Sequence, residues 1–156
     1  MIQLRTYQED GINQMRALMR RGCKSILYTA PTGSGKTALT AHMLHTAAGK
    51  GLRSLFVVHR RELITQSAET FNKEGLKYGI IAGGFTEDRR HVTQLASVQT
   101  LAKRLSSVLS PSLCVWDECH HLAAGSWKKI FQAFPNAYHI GLSATPQRLD
   151  GKGLGE

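Results

Sequence analysis

Acidic residues are scarce in this chain: Asp plus Glu number 11 against 20 Lys plus Arg, a formal charge of +9. That deficit excludes an acidic, solvating type of chain and makes a polyanion the partner to test first. The same excess would also serve solubility alone, and charge by itself does not separate the two readings. Cysteines are few and odd in number, 3 in all, and Cys23, Cys114 and Cys119 sit in or beside apolar runs. This argues against a disulfide scaffold and for reduced thiols in a cytosolic protein. No apolar run approaches the roughly 20 residues of a membrane span, and Met1-Ile2-Gln3-Leu4-Arg5 lacks the apolar core of a secretory signal. The expectation is therefore a cytoplasmic chain with no membrane partner. Internal repeats, heptads and low-complexity tracts are also missing. What remains is an ordinary globular balance, 42% hydrophobic and 20% charged, in 156 residues, which suits one domain around one core.

The stretch on which the rest is organised is Ala30-Pro31-Thr32-Gly33-Ser34-Gly35-Lys36-Thr37. It follows the apolar run 25–29 and precedes a segment, 38–48, rich in helix formers and free of Gly and Pro. Strand, glycine-bearing turn and helix are the context that a phosphate-binding loop requires. Backbone N–H groups of Thr32, Gly33, Ser34 and Gly35 would surround phosphate oxygens at the positive end of the helix dipole. Lys36 would reach the β- and γ-phosphates, and Thr37 would offer its hydroxyl to Mg²⁺. The strict pattern has Gly where this chain has Ala30. The competing reading is a surface turn that happens to end in Lys-Thr.

Further along, the pattern predicts strands over 52–58, 78–82, 92–95, 113–116 and 138–142. Helices are predicted up to Gly22, over 60–71, over 97–105 with Ser97 as the cap, and over 126–133. Residues 85–91, with Glu87, Asp88, Arg89 and Arg90, read as an exposed loop. Alternating strands and helices predict an α/β fold with a largely parallel sheet. Such sheets place ligands beyond the carboxyl ends of their strands. Lys36, His59, Asp117 and Ser143 each follow an apolar strand.

Asp117-Glu118-Cys119-His120 closes one of these strands. Nucleotide hydrolysis needs one carboxylate for Mg²⁺ and another to orient or activate water. Asp117 is assigned the first task and Glu118 the second; alone, the pair would read as a solvated acidic turn. Cys119, His120 and His121, with Cys114, are too crowded along one strand end for a tetrahedral metal site. Trp116 and Trp127 read as core, and His42 and His45 as ordinary helix residues.

In order and spacing, these segments resemble the first RecA-like domain of a superfamily 2 helicase of the DEAD/H-box type. Arg5-Thr6-Tyr7-Gln8 is similar to its adenine-reading Q motif. Residues 30–37 are similar to motif I, which in that family commonly carries Ala at the position of Ala30. Residues 57–63 and 97–101 resemble motifs Ia and Ic, Asp117 to His120 resembles motif II, and Ser143-Ala144-Thr145 resembles motif III. The branch suggested by His120-His121 and by 141–151 is the RadD-like, phage and type III restriction-subunit-like one. The resemblance implies a RecA-like P-loop NTPase domain with helices on both faces, using ATP and Mg²⁺. It implies that Gln8 reads adenine with Arg5 and Tyr7 supporting it. It also implies that His120 couples the nucleotide site to Ser143 and Thr145, and that Arg60, Gly83, Gln99 and Thr100 line DNA or RNA. Each of these last four would otherwise be an ordinary solvated helix or loop position.

The resemblance covers residues 4–148. It sets a helicase ATP-binding domain at 1–150, followed by a mobile tail at 151–156. The second RecA-like domain with its arginine fingers is absent from the chain and is the expected partner. The activity implied is ATP hydrolysis by a helicase or translocase once both domains are joined, with the isolated chain nearly inactive. The alternative is a non-enzymatic nucleic-acid or protein-binding module that keeps the fold.

Overall fold

A computed structural model of the chain describes residues 6–29, 36–117 and 124–143. The chain opens with helix α1 (Thr6–Arg20), then strand β1 (Ser25–Thr29), helix α2 (Lys36–Gly49), strand β2 (Ser54–Val58) and helix α3 (Arg61–Lys73). Strands β3 (Gly79–Ile81) and β4 (Thr93–Ser97) follow, then helix α4 (Val98–Lys103) and a 3-10 turn, Leu105–Ser107. Strand β5 (Leu113–Trp116), helix α5 (Ala124–Ala133) and strand β6 (Tyr138–Ser143) complete the described elements. Expected and observed elements agree in kind and order. The differences are at the ends: β2 starts two residues later than expected because Leu52 and Arg53 stay outside the ladder, whereas β4 runs on to Ser97. Ser97 is thereby both the last strand residue and the cap of α4, its hydroxyl accepting from the Thr100 N–H at 3.3 Å.

The strands form one six-stranded sheet in the order β1-β6-β5-β2-β4-β3, and every neighbouring pair is parallel. Parallel sheets need both faces covered, and the burial of β2 and β4, where every residue is buried, shows it. On one face Ile12 and Met15 of α1, Leu39 and Leu44 of α2, and Ile64 and Phe71 of α3 meet Phe56, Val58, Leu95, Val115 and Ile140. On the other, Val98 and Leu101 of α4, Ile130 of α5 and Phe134 just after it meet Leu55, Val57, Ile81, Cys114 and Trp116. The chain steps one way along the sheet through α2 and α3 on the first face, and steps back through α4 and α5 on the second. Opposite directions on opposite faces preserve a single crossover hand.

The link from β3 to β4 carries no helix, as expected of a loop or turn, but the expected exposure holds only for some of its residues, Thr86 and Arg90 among them. Glu87, Asp88, Arg89 and His91 are half-buried. Glu87 accepts from Arg104 at 2.6 Å and from Arg89 at 3.0 Å, and Arg89 also donates to the Ser107 carbonyl at 2.9 Å. The buried Gln94 side chain donates to the carbonyls of Asp88 (2.8 Å) and His91 (3.0 Å). Gly79 makes this approach possible, since a Cβ there would collide with the Asp88 carbonyl and the Gln94 amide. Among the described residues no helix is long and apolar enough to cross a membrane.

Candidate functional site

The candidate edge is built by the order of the strands. β1, β6 and β5 are neighbours and parallel, so the segments that leave them emerge along one edge. Thr29 pairs with Ser143, and Trp116 pairs with Gly141, which puts Asp117 one step below the level of Ser143. With about 4.8 Å between neighbouring strands, the ends of β1 and β5 are about 10 Å apart, with β6 between them. The Asp117 N–H donates to the Val57 carbonyl at 2.9 Å, which fixes the backbone where the chain leaves β5. Asp117 is half-buried, and Ser143 is fully buried. Lys36 begins α2 seven residues after the end of β1.

Of Lys36 and Thr37 the helical backbone is described and the side chains are not. Arg5, Thr32, Gly33, Ser34, Gly35, Glu118, His120 and Thr145 lie outside the described residues. Gln8 lies within the first two turns of α1 and is buried, at 4% exposure.

The candidate nucleic-acid residues gather on the other half of the same edge. Val58 pairs with Ser97 and Ile81 with Ala96, so the chain beyond β2, β4 and β3 emerges side by side. The Gly83 N–H donates to the Thr100 hydroxyl at 3.2 Å, bringing two of the four together directly. Arg60 and Gln99 are exposed. Arg60 caps α3 in extended geometry, and its side chain makes no capping bond. The start of that helix therefore presents backbone N–H donors beside an exposed guanidinium.

Two further residues were not singled out from the sequence as site candidates. Arg61 lays its guanidinium against Gly84, which has φ of 85°, and 5.7 Å from the Phe85 ring centroid. A side chain at 84 would meet that guanidinium, so the glycine serves both the turn and the approach. The Arg60-Arg61 doublet was the only available signal. The second is His139, buried in β6. It accepts from the Trp116 indole at Nδ1 (3.1 Å) and faces the Phe134 carbonyl at Nε2 (3.0 Å). Burial is the larger influence on its pKa and lowers it; the bond to Phe134 raises it by less. A single polar residue in an apolar strand gave no hint of this arrangement. On the same face the Cys114 thiol is pushed far up by burial, so it is an inert packing group.

Comparison with known proteins supplies the family. The model of the type III restriction enzyme res subunit family matches residues 1–148. The chain belongs to that family. The DNA 3'-5' translocase XPB2 of Sulfurisphaera tokodaii is 33% identical over 154 residues, covering 97% of this chain and 33% of XPB2. Among solved structures, the UvsW helicase of bacteriophage T4 superposes with a TM-score of 0.74 at 24% identity, covering 91% of this chain and 52% of that one. The Sulfolobus solfataricus SWI2/SNF2 ATPase core, solved in complex with dsDNA, gives 0.73 at 22% identity, covering 92% and 32%. The likeness to these solved structures carries the fold, that of helicase RecA-like domains. The res-subunit family membership makes this chain an N-terminal RecA-like domain of the superfamily 2 type, the class expected from the motifs. The chain spans about a quarter to a third of the length of the relatives it matches in sequence.

Proposed function

We propose that this res-family chain is the ATP-binding part of a nucleic-acid translocase motor. The observation that carries the reading is the adjacency of β1, β6 and β5, which brings the start of α2, Asp117 and Ser143 to one edge of the sheet. The residues present fit a magnesium nucleotide. The hydroxyl of Thr37 and the carboxylate of Asp117 are the hard oxygen donors that Mg²⁺ prefers, while a lysine and a helix N-terminus suit the phosphates. When bound, the metal would neutralise charge on the phosphates.

The chain's own groups would divide the remaining work. Backbone N–H groups of 32–35 cradle the phosphates, Lys36 balances their charge, and Gln8 with Arg5 reads the adenine edge. Glu118 takes the proton of the attacking water, and His120 reports the state of the site to Ser143 and Thr145. On the other half-edge, Arg60, Gly83, Gln99 and Thr100 hold phosphates of the nucleic-acid backbone by charge, hydroxyl and N–H contacts. The relatives named above support DNA as the substrate. A second RecA-like domain supplies arginine fingers, worth about 10³-fold or more in rate, so these 156 residues alone bind ATP weakly and turn over little.

Lys36→Ala tests the reading by titrating ATP with Mg²⁺ and, separately, duplex DNA. ATP binding is expected to be lost and DNA binding kept. ATP binding that survives the substitution, or a parent chain that binds no ATP, overturns it.

A further inference from the structure

We propose that His139 is a positioning residue: it holds the Trp116 ring and, through it, the strand end that presents Asp117. This rests on the assignment of Asp117 to the metal of the nucleotide. The geometry is closed on every side. An indole N–H can only donate, so the bond from Trp116 Nε1 at 3.1 Å requires Nδ1 of His139 to be a bare acceptor. Nε2 then carries the proton and donates to the Phe134 carbonyl at 3.0 Å. One neutral tautomer satisfies both bonds. The Phe131 ring lies over the imidazole with centroids 4.4 Å apart, and Trp116 and His139 are 2% and 4% exposed.

His139 is the second residue of β6, level with Cys114, which stands two positions back from the end of β5, and its own N–H donates to the Lys24 carbonyl at 2.7 Å. It is therefore fixed in the sheet and acts on the edge only through Trp116. Trp116 is the last residue of β5, and the next peptide N–H, that of Asp117, is bonded to Val57 at 2.9 Å. Turning the Trp116 ring would break its bond to His139 and pull on the peptide that carries the carboxylate. Phe131 belongs to α5 and Phe134 follows directly on its last residue, so the same imidazole ties the strand that ends just before Asp117 to the helix that follows in the chain and to the residue that ends it. Burial keeps the imidazole neutral, as this role requires.

The test measures ATP affinity twice, with Mg²⁺ and with EDTA, and takes the ratio as the metal-dependent gain. His139→Leu removes both bonds. Trp116→Phe keeps a ring in the same space without the N–H, and so preserves the test if the leucine variant does not fold. His139→Gln retains an acceptor and a donor. The expected result is a gain reduced about tenfold in the first two variants, the low end of what groups that orient a metal ligand contribute. Affinity in EDTA should be unchanged and the gain at least partly restored in the glutamine variant. General damage to the fold would lower both affinities together and would overturn the assignment, as would a full gain in both His139→Leu and Trp116→Phe. A parent chain with no metal-dependent gain overturns the nucleotide reading itself, and this inference with it.

Discussion

Four of the described crossovers in this sheet run through helices and one, residues 82–92, does not. The helical crossovers satisfy their own backbone and attach to the sheet by an apolar stripe. α3 shows this with Ile64 and Phe71, neither of them exposed, set into the layer with Phe56 and Leu95. The helix-free crossover has no internal ladder, so side chains from beyond it serve its backbone, Gln94 for the carbonyls of Asp88 and His91 and Thr100 for the N–H of Gly83, while its own Arg89 reaches out to the Ser107 carbonyl. One kind of connection is held by buried area and the other by directional polar bonds. The two should therefore fail differently when perturbed.

The largest effect is expected on the apolar side. Phe71 is fully buried and packs against Phe56 (centroids 5.7 Å) and Tyr78 (5.4 Å). Phe71→Ala should cost about 3–5 kcal/mol, since it forfeits transfer free energy and leaves a cavity. Urea denaturation followed by circular dichroism reads this as a shifted midpoint for the whole domain. Gln94→Leu comes next. It fills the same space but leaves two carbonyls without a donor, an expected loss of about 1–3 kcal/mol. Its signature is local: limited proteolysis should cut within 82–92 in the leucine variant before the domain melts. Cutting that appears only with global unfolding would show that the crossover is not held separately.

This contrast also explains what could be read from the chain beforehand. Each helical crossover announces itself by period, as with Leu63, Ile64 and Ala68, and by a cap such as Ser97, because local rules fix those elements. The parallel sheet and its functional edge follow from the alternation of elements, which is why Asp117, Ser143 and the start of α2 were expected on one edge before the structure placed those segments there. The 82–92 link offers no period. Glu87, Asp88, Arg89 and Arg90 look like a solvated run until Arg104, seventeen residues on from Glu87, is brought alongside by α4. His139 was missed for the same reason, because its partner Trp116, twenty-three residues away, is supplied by β5. Residues whose role depends on contacts distant in sequence leave no local trace.

The α5 side contains a buried titratable residue within its apolar packing, and pH can isolate it. His139 has a pKa below the ordinary histidine value of 6.5 in the folded chain, chiefly through burial. As pH falls through 6.5 the unfolded chain binds the proton first. Stability should therefore be constant above that value and decline as pH falls through the lowered one. His42 is lowered as well, first by burial and then by Arg16, and adds to the same slope. Melting temperatures between pH 7.5 and 5 should fall in the parent and fall less steeply in His139→Gln. Equal slopes would remove His139 as the source.

The smallest effect is expected from the charges on the helix-free link. Glu87 sits between Arg89 and Arg104, and the hydrogen bonds from these two hold its carboxyl below the usual range. The group is nearly a third exposed, and one of its partners more so. Exposed ion pairs contribute at most about 1 kcal/mol because water already screens them. Glu87→Gln should thus lower stability by no more than that at low salt. The difference should vanish near 1 M salt, where the screening length is about 3 Å. The Phe71→Ala loss, being one of packing, should persist at the same salt. If the Glu87→Gln difference also persists, the carboxylate is bound by geometry rather than by charge, and the distinction between the two kinds of crossover becomes one of burial alone.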